Sequence, residues 1–343
     1  MPFERGFERA RRARPAKFIM QSIQAFISKE SSAIKASSAS PLFNVLMFSA
    51  FWALQIFAAK LGFLSGAEAL SFQALSMLSV MFVLASFLLP KVGGELVDLY
   101  KYQPALFWKL FFANGIQAGL GTCLSLIGIA LTEAINAGFL VKLATVTTTL
   151  FAWIILHERL TPLKFATVCV MLSGAYLLTT RGQAILPQVG DLFILGACFC
   201  WSLGNVLVRK FLKSQAVKAD AVTLQKPIAG LPVLLVLLGA SAYLTAAYAK
   251  LPSVLTCCDF SPRYWPYALG SGFSLALAWI YLNRTLKVAT ASYMTLMSMV
   301  TPVIVGLLAL VFLGESLVWV QVVGAGMILT SGVVIYFSDI AYT

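Results

Sequence analysis

A single lysine interrupts the apolar stretch FLVKLATVTTTLF at residues 139 to 151. The run around it, about residues 133 to 156, is otherwise apolar enough to cross a bilayer, which takes roughly 20 residues. Lys142 then lies inside hydrocarbon, where an ionisable side chain is costly and marks function by default. Three chemistries fit it. It can be neutralised by burial, or snorkel, and touch only backbone carbonyls and water. It can face a wet cavity and attract a carboxylate or phosphate. Or its own protonation can change during a cycle and couple transport to protons. The neighbouring residues favour the cavity: Gly138, Lys142, Thr145 and Thr149 recur at helical spacing and form one small, polar stripe. Such a stripe also suits plain helix packing.

A counter-charge for Lys142 is absent from the middle of every predicted span. Glu133, on the same run, is nine residues away, about 13 Å along a helix axis at 1.5 Å per residue, too far for a direct pair. The preceding span repeats the polar pattern with Asn114, Gln117, Gly121 and Ser125. Two amides facing lipid would be expensive, so two such stripes in neighbouring spans predict a shared polar interior. Trp52 and Gln55, Trp201 and Asn205, Ser271, Ser274 and Tyr281, and Tyr293 can add hydrogen bonds or an aromatic wall, and each serves equally well as packing or an interface anchor. The expected substrate-binding set is Lys142, Thr145, Thr149, Asn114, Gln117, Trp52, Ser274, Tyr281 and Tyr293.

Catalytic and metal chemistry find no comparable set. His157 is the single histidine, and no glycine-rich phosphate loop or nucleophile elbow is present. The six cysteines, Cys123, Cys169, Cys198, Cys200, Cys257 and Cys258, lack zinc-site or disulfide spacing and read as packing residues. No cofactor is expected. Glu158 and Glu315 sit at span ends, where Thr161-Pro162 after Glu158 signals a new helix, and both read as structural.

The elements that must position these residues follow from composition. Of 343 residues, 60% are hydrophobic and 11% charged, with mean hydropathy +0.88, whereas a soluble domain is about a quarter charged. An all-α membrane protein results, since a barrel would show short alternating segments. Ten spans are predicted at 44–62, 70–89, 107–130, 133–156, 164–180, 190–208, 227–247, 266–283, 289–313 and 317–337. With a cytoplasmic N-terminus, 20 of the 25 Lys and Arg fall in inside segments, Lys226 and Arg209 among them; Arg181, Lys250 and Arg263 lie outside and Lys60 and Lys142 within spans. That asymmetry places both termini in the cytoplasm. The net charge of +12 is therefore explained by loop placement, and no nucleic-acid partner is expected. Residues 1–41 are basic with Phe18, Ile19, Ile23, Phe26 and Ile27 on one helical face, the pattern of a helix lying on anionic lipid. Glu4, Glu8 and Glu30 argue against the competing transit peptide.

The chain repeats at an offset of 157 residues: TEAINAGFLVKLATVTTTLFAWIILHERL (132–160) aligns with ATASYMTLMSMVTPVIVGLLALVFLGESL (289–317). Glu158 matches Glu315, and Met299 stands where Lys142 does. Five spans per copy is an odd number, so the second copy enters the membrane inverted, the plan of many secondary transporters. Through FWALQIFAAKLGF, HERLTPLKFATVCVMLSGAYLL and ATASYMTLMSMVTPVIVGLLALVFLGES, the chain resembles the EamA-type branch of the drug/metabolite transporter superfamily over about residues 44–339. The resemblance implies ten helices around a central cavity opened alternately to either side, in repeats at 42–180 and 181–343, with the fifth and tenth helices peripheral. It departs at Thr145, where a proline is expected and where the second copy has Pro302.

A secondary transporter of a small organic metabolite follows, anionic or an amino acid, working as exporter or exchanger in a bacterial-type inner membrane; a homodimer is compatible with this plan. The competing classes are a lipid-modifying membrane enzyme and a non-transporting scaffold or receptor. Neither requires an inverted repeat. With no membrane-embedded carboxylate, proton antiport of cationic drugs is disfavoured.

Overall fold

The computed structural model describes residues 40–132, 138–184, 186–214, 217–247, 260–314 and 317–340. The expectations for residues 1–39, Glu133, Glu315, Cys257 and Cys258 lie outside the described residues. Contacts given below are those of residues 45–340.

The described residues form helices joined by short turns, and eight helical stretches among them are long and apolar enough to cross a membrane. Helices suit lipid because they satisfy every backbone polar group internally. Helix α1, Pro41–Leu64, ends where Gly66 takes the left-handed conformation (φ 87°). Helix α2, Ala69–Tyr102, is far longer than the predicted span 70–89 because Pro90 does not end it. The following KVGGELVDLYKY stays helical by burying Val92 and Leu99. The break comes at Gln103 (φ −135°, ψ 56°), which the ring of Pro104 excludes from the helical region.

Pro104 opens α3, Pro104–Asn114, which runs through a π-helical segment, Gly115–Gly121, into α4, Thr122–Ala130. Helical residues Gly138 to Leu140 lead through a 3-10 turn, Val141–Leu143, to α5, Ala144–Leu156, ended by left-handed His157 (φ 54°). Helix α6, Pro162–Thr180, starts as its sequence signals, with the Thr161 hydroxyl accepting from the Lys164 amide at 3.2 Å. Then come α7, Val189–Ser214, and α8, Ala219–Ala247, which contains Pro227 and Pro232. A 3-10 turn, Pro262–Tyr264, precedes α9, Trp265–Val288. Helix α10, Ala291–Met297, a 3-10 turn Ser298–Val300, and α11, Thr301–Leu313, form one interrupted rod ended by left-handed Gly314 (φ 65°). Helix α12 is Trp319–Ile340.

The offset of 157 residues recurs in these boundaries. The 3-10 turns at 141–143 and 298–300, the helices at 144–156 and 301–313, the left-handed caps at 157 and 314, and the helix starts at 162 and 319 all stand in that register. Helices α6 and α12, corresponding elements, pack on each other through Gly174 and Gly324: a Cβ on either would come within 2.7 Å of the other's carbonyl oxygen. Close backbone approach of this kind substitutes for a hydrophobic driving force inside lipid. The main core joins Leu84 of α2, Leu110 of α3, Leu212 of α7, Val222 of α8 and Leu286 of α9.

Candidate functional site

Lys142 sits on the 3-10 turn, where the Ala144 amide donates to the carbonyls of Val141 and Lys142. A 3-10 stretch within a helical rod often marks a hinge or local strain. The lysine is half-buried and, among the described residues, has no ion-pair partner. Its electrostatic neighbour is Cys198 of α7, whose thiol donates to the Leu140 carbonyl at 3.4 Å and lies 3.7 Å from that of Val141. Thr145 and Thr149 are buried. The Thr149 hydroxyl donates to the Thr145 carbonyl at 2.8 Å, and the Thr145 hydroxyl to the Met299 sulfur at 3.2 Å. The last contact joins the first turn of α5 to the second 3-10 turn, which holds Met299.

Helix α7 organises the polar interior through residues at helical spacing. Ser202 meets the hydroxyls of Thr147 and Thr148 at 2.5 and 2.8 Å and donates to the Ala144 carbonyl at 3.0 Å. One turn on, Asn205 accepts a hydrogen bond from Gln117. Asn114, fully buried, donates to the Val222 carbonyl at 3.3 Å and to Gln225 Oε1 at 3.2 Å on α8. The polar residues of α3 and its π-helical continuation therefore face α7 and α8, while α5 meets α7 through Thr147 and Thr148, beside the predicted stripe, and turns Thr145 of the stripe towards Met299. Gly204 of α7 allows the approach to the π segment, since a Cβ there would come within 2.6 Å of Gln117 Cβ. Single-turn π-helical segments concentrate at functional sites.

The other expected residues lie elsewhere. Trp52 packs on Phe48 with ring centroids 5.5 Å apart, and Tyr281 stacks on Phe51 at 5.9 Å. Both border the main core, whereas the Lys142 turn borders a separate cluster of Ile194 and Cys198. Ser274 and Tyr293 are buried on α9 and α10. The Tyr293 amide completes a cap by donating to Thr290 Oγ1 at 3.1 Å.

Arg209 and Lys226, assigned to loops from the sequence, are buried within helices. Arg209 lies within α7, and its Nη1 donates to the Leu286 and Lys287 carbonyls at 2.8 Å each, capping the C-terminal end of α9. Glu158 complements it at the adjoining helix start, accepting from the amides of Ala291 (2.9 Å) and Ser292 (3.2 Å) and from the Ser292 hydroxyl (2.5 Å). An anion at a helix N-terminus and a cation at a C-terminus both suit the helix dipole. This is the structural role expected of Glu158.

Lys226 is the larger correction. The span predicted from hydropathy begins at residue 227, but α8 starts at Ala219 and carries Lys226 about two turns inside. Lys226 is fully buried, and its Nζ has no hydrogen-bond partner among the described residues. Nζ stands 5.1 Å from the centroid of the Trp279 ring on α9. A desolvated cation–π contact is worth about 2 kcal/mol, while removing an ammonium from water costs several kcal/mol even after relaxation. The ring does not offset that deficit. Around the same turns, Asn283 Nδ2 donates to Thr223 Oγ1 at 2.9 Å, and among the described residues the Oδ1 atoms of Asn114 and Asn283 are buried without partners. A clue was present in the sequence: with Ala219 as its start, the span ADAVTLQKPIAGLP would hold one lysine among largely small and apolar residues.

Among the described residues no three His, Cys, Asp or Glu side chains come together as a metal site. The architecture has counterparts. The model of the EamA-like transporter family matches this chain twice, over residues 39–180 and 188–337. An uncharacterized transporter of Methanothermobacter thermautotrophicus is 24% identical over 221 residues, 63% of this chain and 60% of its own. The uncharacterized transporter YyaM of Bacillus subtilis is 23% identical over 219 residues, 61% of this chain and 68% of its own. The alignment thus spans less than two thirds of the archaeal relative. A protein known from a crystal structure superposes on 88% of this chain and 98% of its own with a TM-score of 0.64 at 18% identity, a likeness of fold alone. Both halves of a multi-pass helical chain are matched by one family model, and the chain belongs to the EamA-like transporter family.

Proposed function

We propose that this chain is a secondary transporter of ten helices, in which two five-helix repeats, 42–180 and 181–343, are inverted relative to each other and rock to expose a site alternately to either side. The observation that carries this reading is the common register of the helix interruptions at 141–143 and 298–300 and of everything after them to the starts of α6 and α12. Paired broken helices with a site near the midplane are a recurring plan of inverted-repeat carriers. The Thr145–Met299 contact supports it by tying the start of α5, just after the first interruption, to the second interruption.

The site centres on Lys142, Thr145 and Thr149, with Gln117 linked through α7 and Asn114 bound to α8 one turn before it. Trp52, Ser274, Tyr281 and Tyr293 stand further out, as walls or as packing. The carried molecule is a small organic metabolite, an anion or an amino acid, moved as an exporter or exchanger in a bacterial-type inner membrane with both termini cytoplasmic. The protein is not an enzyme in this reading, and its residues 1–41 rest on anionic lipid. A homodimer remains compatible with this plan.

The test is exchange in liposomes. Purified protein reconstituted with internal labelled organic acids or amino acids is expected to release at least one label when the same unlabelled compound is added outside. Release no faster than from protein-free liposomes across the panel would remove the transporter reading.

A further inference from the structure

We propose that Lys226 is the cationic half of a second ligand site, between α8 and α9, which binds a carboxylate carrying a neighbouring hydrogen-bond donor, as in α-hydroxy and α-amino acids. Three observations converge. The ammonium is fully buried with no hydrogen bond among the described residues, leaving three donors aimed into the helix seam. Asn283 Oδ1, an acceptor, is likewise buried and unpartnered. The two belong to one seam: Lys226 follows Thr223 by three residues on α8, and Asn283 follows Trp279 by four on α9. The Asn283–Thr223 hydrogen bond and the Lys226–Trp279 contact therefore lie on adjacent turns of the same pair of helices.

The chemistry follows from this inventory. An ammonium recruits a carboxylate in a strong charge-assisted hydrogen bond. A bare amide oxygen on the adjacent turn calls for a donor, which the hydroxyl or ammonium on the adjacent carbon supplies. The indole face of Trp279 fills one side of the ammonium with a weaker partner and leaves its hydrogens for the ligand. The ion pairs Lys218–Glu95 and Arg284–Asp220 do not involve Lys226, and among the described residues no carboxylate bonds its Nζ. The seam is distinct from the Lys142 turn, which borders Ile194 and Cys198.

This site rests on the transporter reading only in making its ligand a carried molecule. Binding can be measured without transport. The full chain in detergent is melted with L-lactate, L-alanine or propionate, the last lacking the donor, since a bound ligand raises apparent stability. Lactate or alanine is expected to raise the melting temperature of the natural protein, with propionate requiring about tenfold more for the same shift. Lys226→Met, close in length and uncharged, is expected to melt no lower than the natural protein without ligand and to lose the shift. Asn283→Leu is expected to reduce lactate to the propionate response. Indifference of the natural protein to all three acids, or a shift that survives Lys226→Met, overturns the site. If the shifts behave as expected while liposomes show no exchange, the transporter reading fails and this one stands.

Discussion

Lys142→Gln is expected to reduce substrate exchange by about a hundredfold, the equivalent of losing roughly 3 kcal/mol of a desolvated charge contact. Glutamine keeps most of the length and all of the polarity, so the change isolates the charge. Folding should be unaffected, because Lys142 has no ion-pair partner among the described residues and stands half-buried beside a cysteine. The melting temperature is then expected to stay level or rise while exchange is lost. Unchanged exchange would remove Lys142 from the site, and a collapse in melting temperature would make it structural.

Gly272→Val carries the second large effect, and it lies on stability. A Cβ at Gly272 of α9 would stand 2.1 Å from the Ser76 carbonyl oxygen and 2.6 Å from Ser79 Cβ. The first of these obstacles is backbone and cannot rotate aside. The same seam is held by Ser76 donating to the Ala268 carbonyl at 3.1 Å and Ser79 to that of Leu269 at 2.8 Å. Forcing α2 and α9 apart combines overpacking strain of about 1–3 kcal/mol with the loss of two hydrogen bonds at about 1 kcal/mol each. A loss of about 3–5 kcal/mol follows, seen as a fall in melting temperature of the purified protein. Gly270→Ala, two residues away where a Cβ meets nothing within 4 Å, is the control and is expected to be neutral or slightly stabilising, as alanine is the better helix former.

Much of the fold was legible because lipid simplifies the code. Apolar length marks spans, and Thr161-Pro162 marks a helix start that the structure places at the same residues. The repeat could be read from LHERL and LGESL, and its offset reappears in turns and caps that sequence identity alone does not locate. What resisted reading was proline. The predicted spans stop at residue 89 and start at residue 227, yet Pro90 and Pro227 both lie inside helices that run past those limits, since packing against neighbours tolerates the missing hydrogen bond. Each misplaced border hid charge: Glu95 and Asp98 on the extension of α2, and Lys226 on α8.

The candidate site was legible as residue types and less so as an arrangement. Polar periodicity placed Asn114 and Gln117 inward, correctly, but could not show that their partners are Gln225 on α8 and Asn205 on α7. Ser202 went unread because one serine on an apolar helix has no periodic partner of its own kind, and its role comes from two threonines more than 50 residues away in sequence. The π segment had no separate signal, since glycines at 115, 119 and 121 fit close packing in any helix. Trp52 and Tyr281 are aromatic residues whose chemistry suggested a wall, and their contacts border the main core.

The central claim, that the two halves rock to open one site to alternate sides, is tested most directly by measuring distances at both ends of the molecule. Spin labels are placed on cysteines at Leu160 and Val288, exposed near the Glu158 cap, and in a second protein at Leu64 and Trp319, exposed near the opposite helix ends. The six native cysteines are replaced beforehand. Pulsed electron resonance, with and without a substrate identified by exchange, reports both pairs. The account predicts reciprocal change, one pair lengthening as the other shortens. Distances that stay fixed, or that lengthen together at both ends, would contradict it.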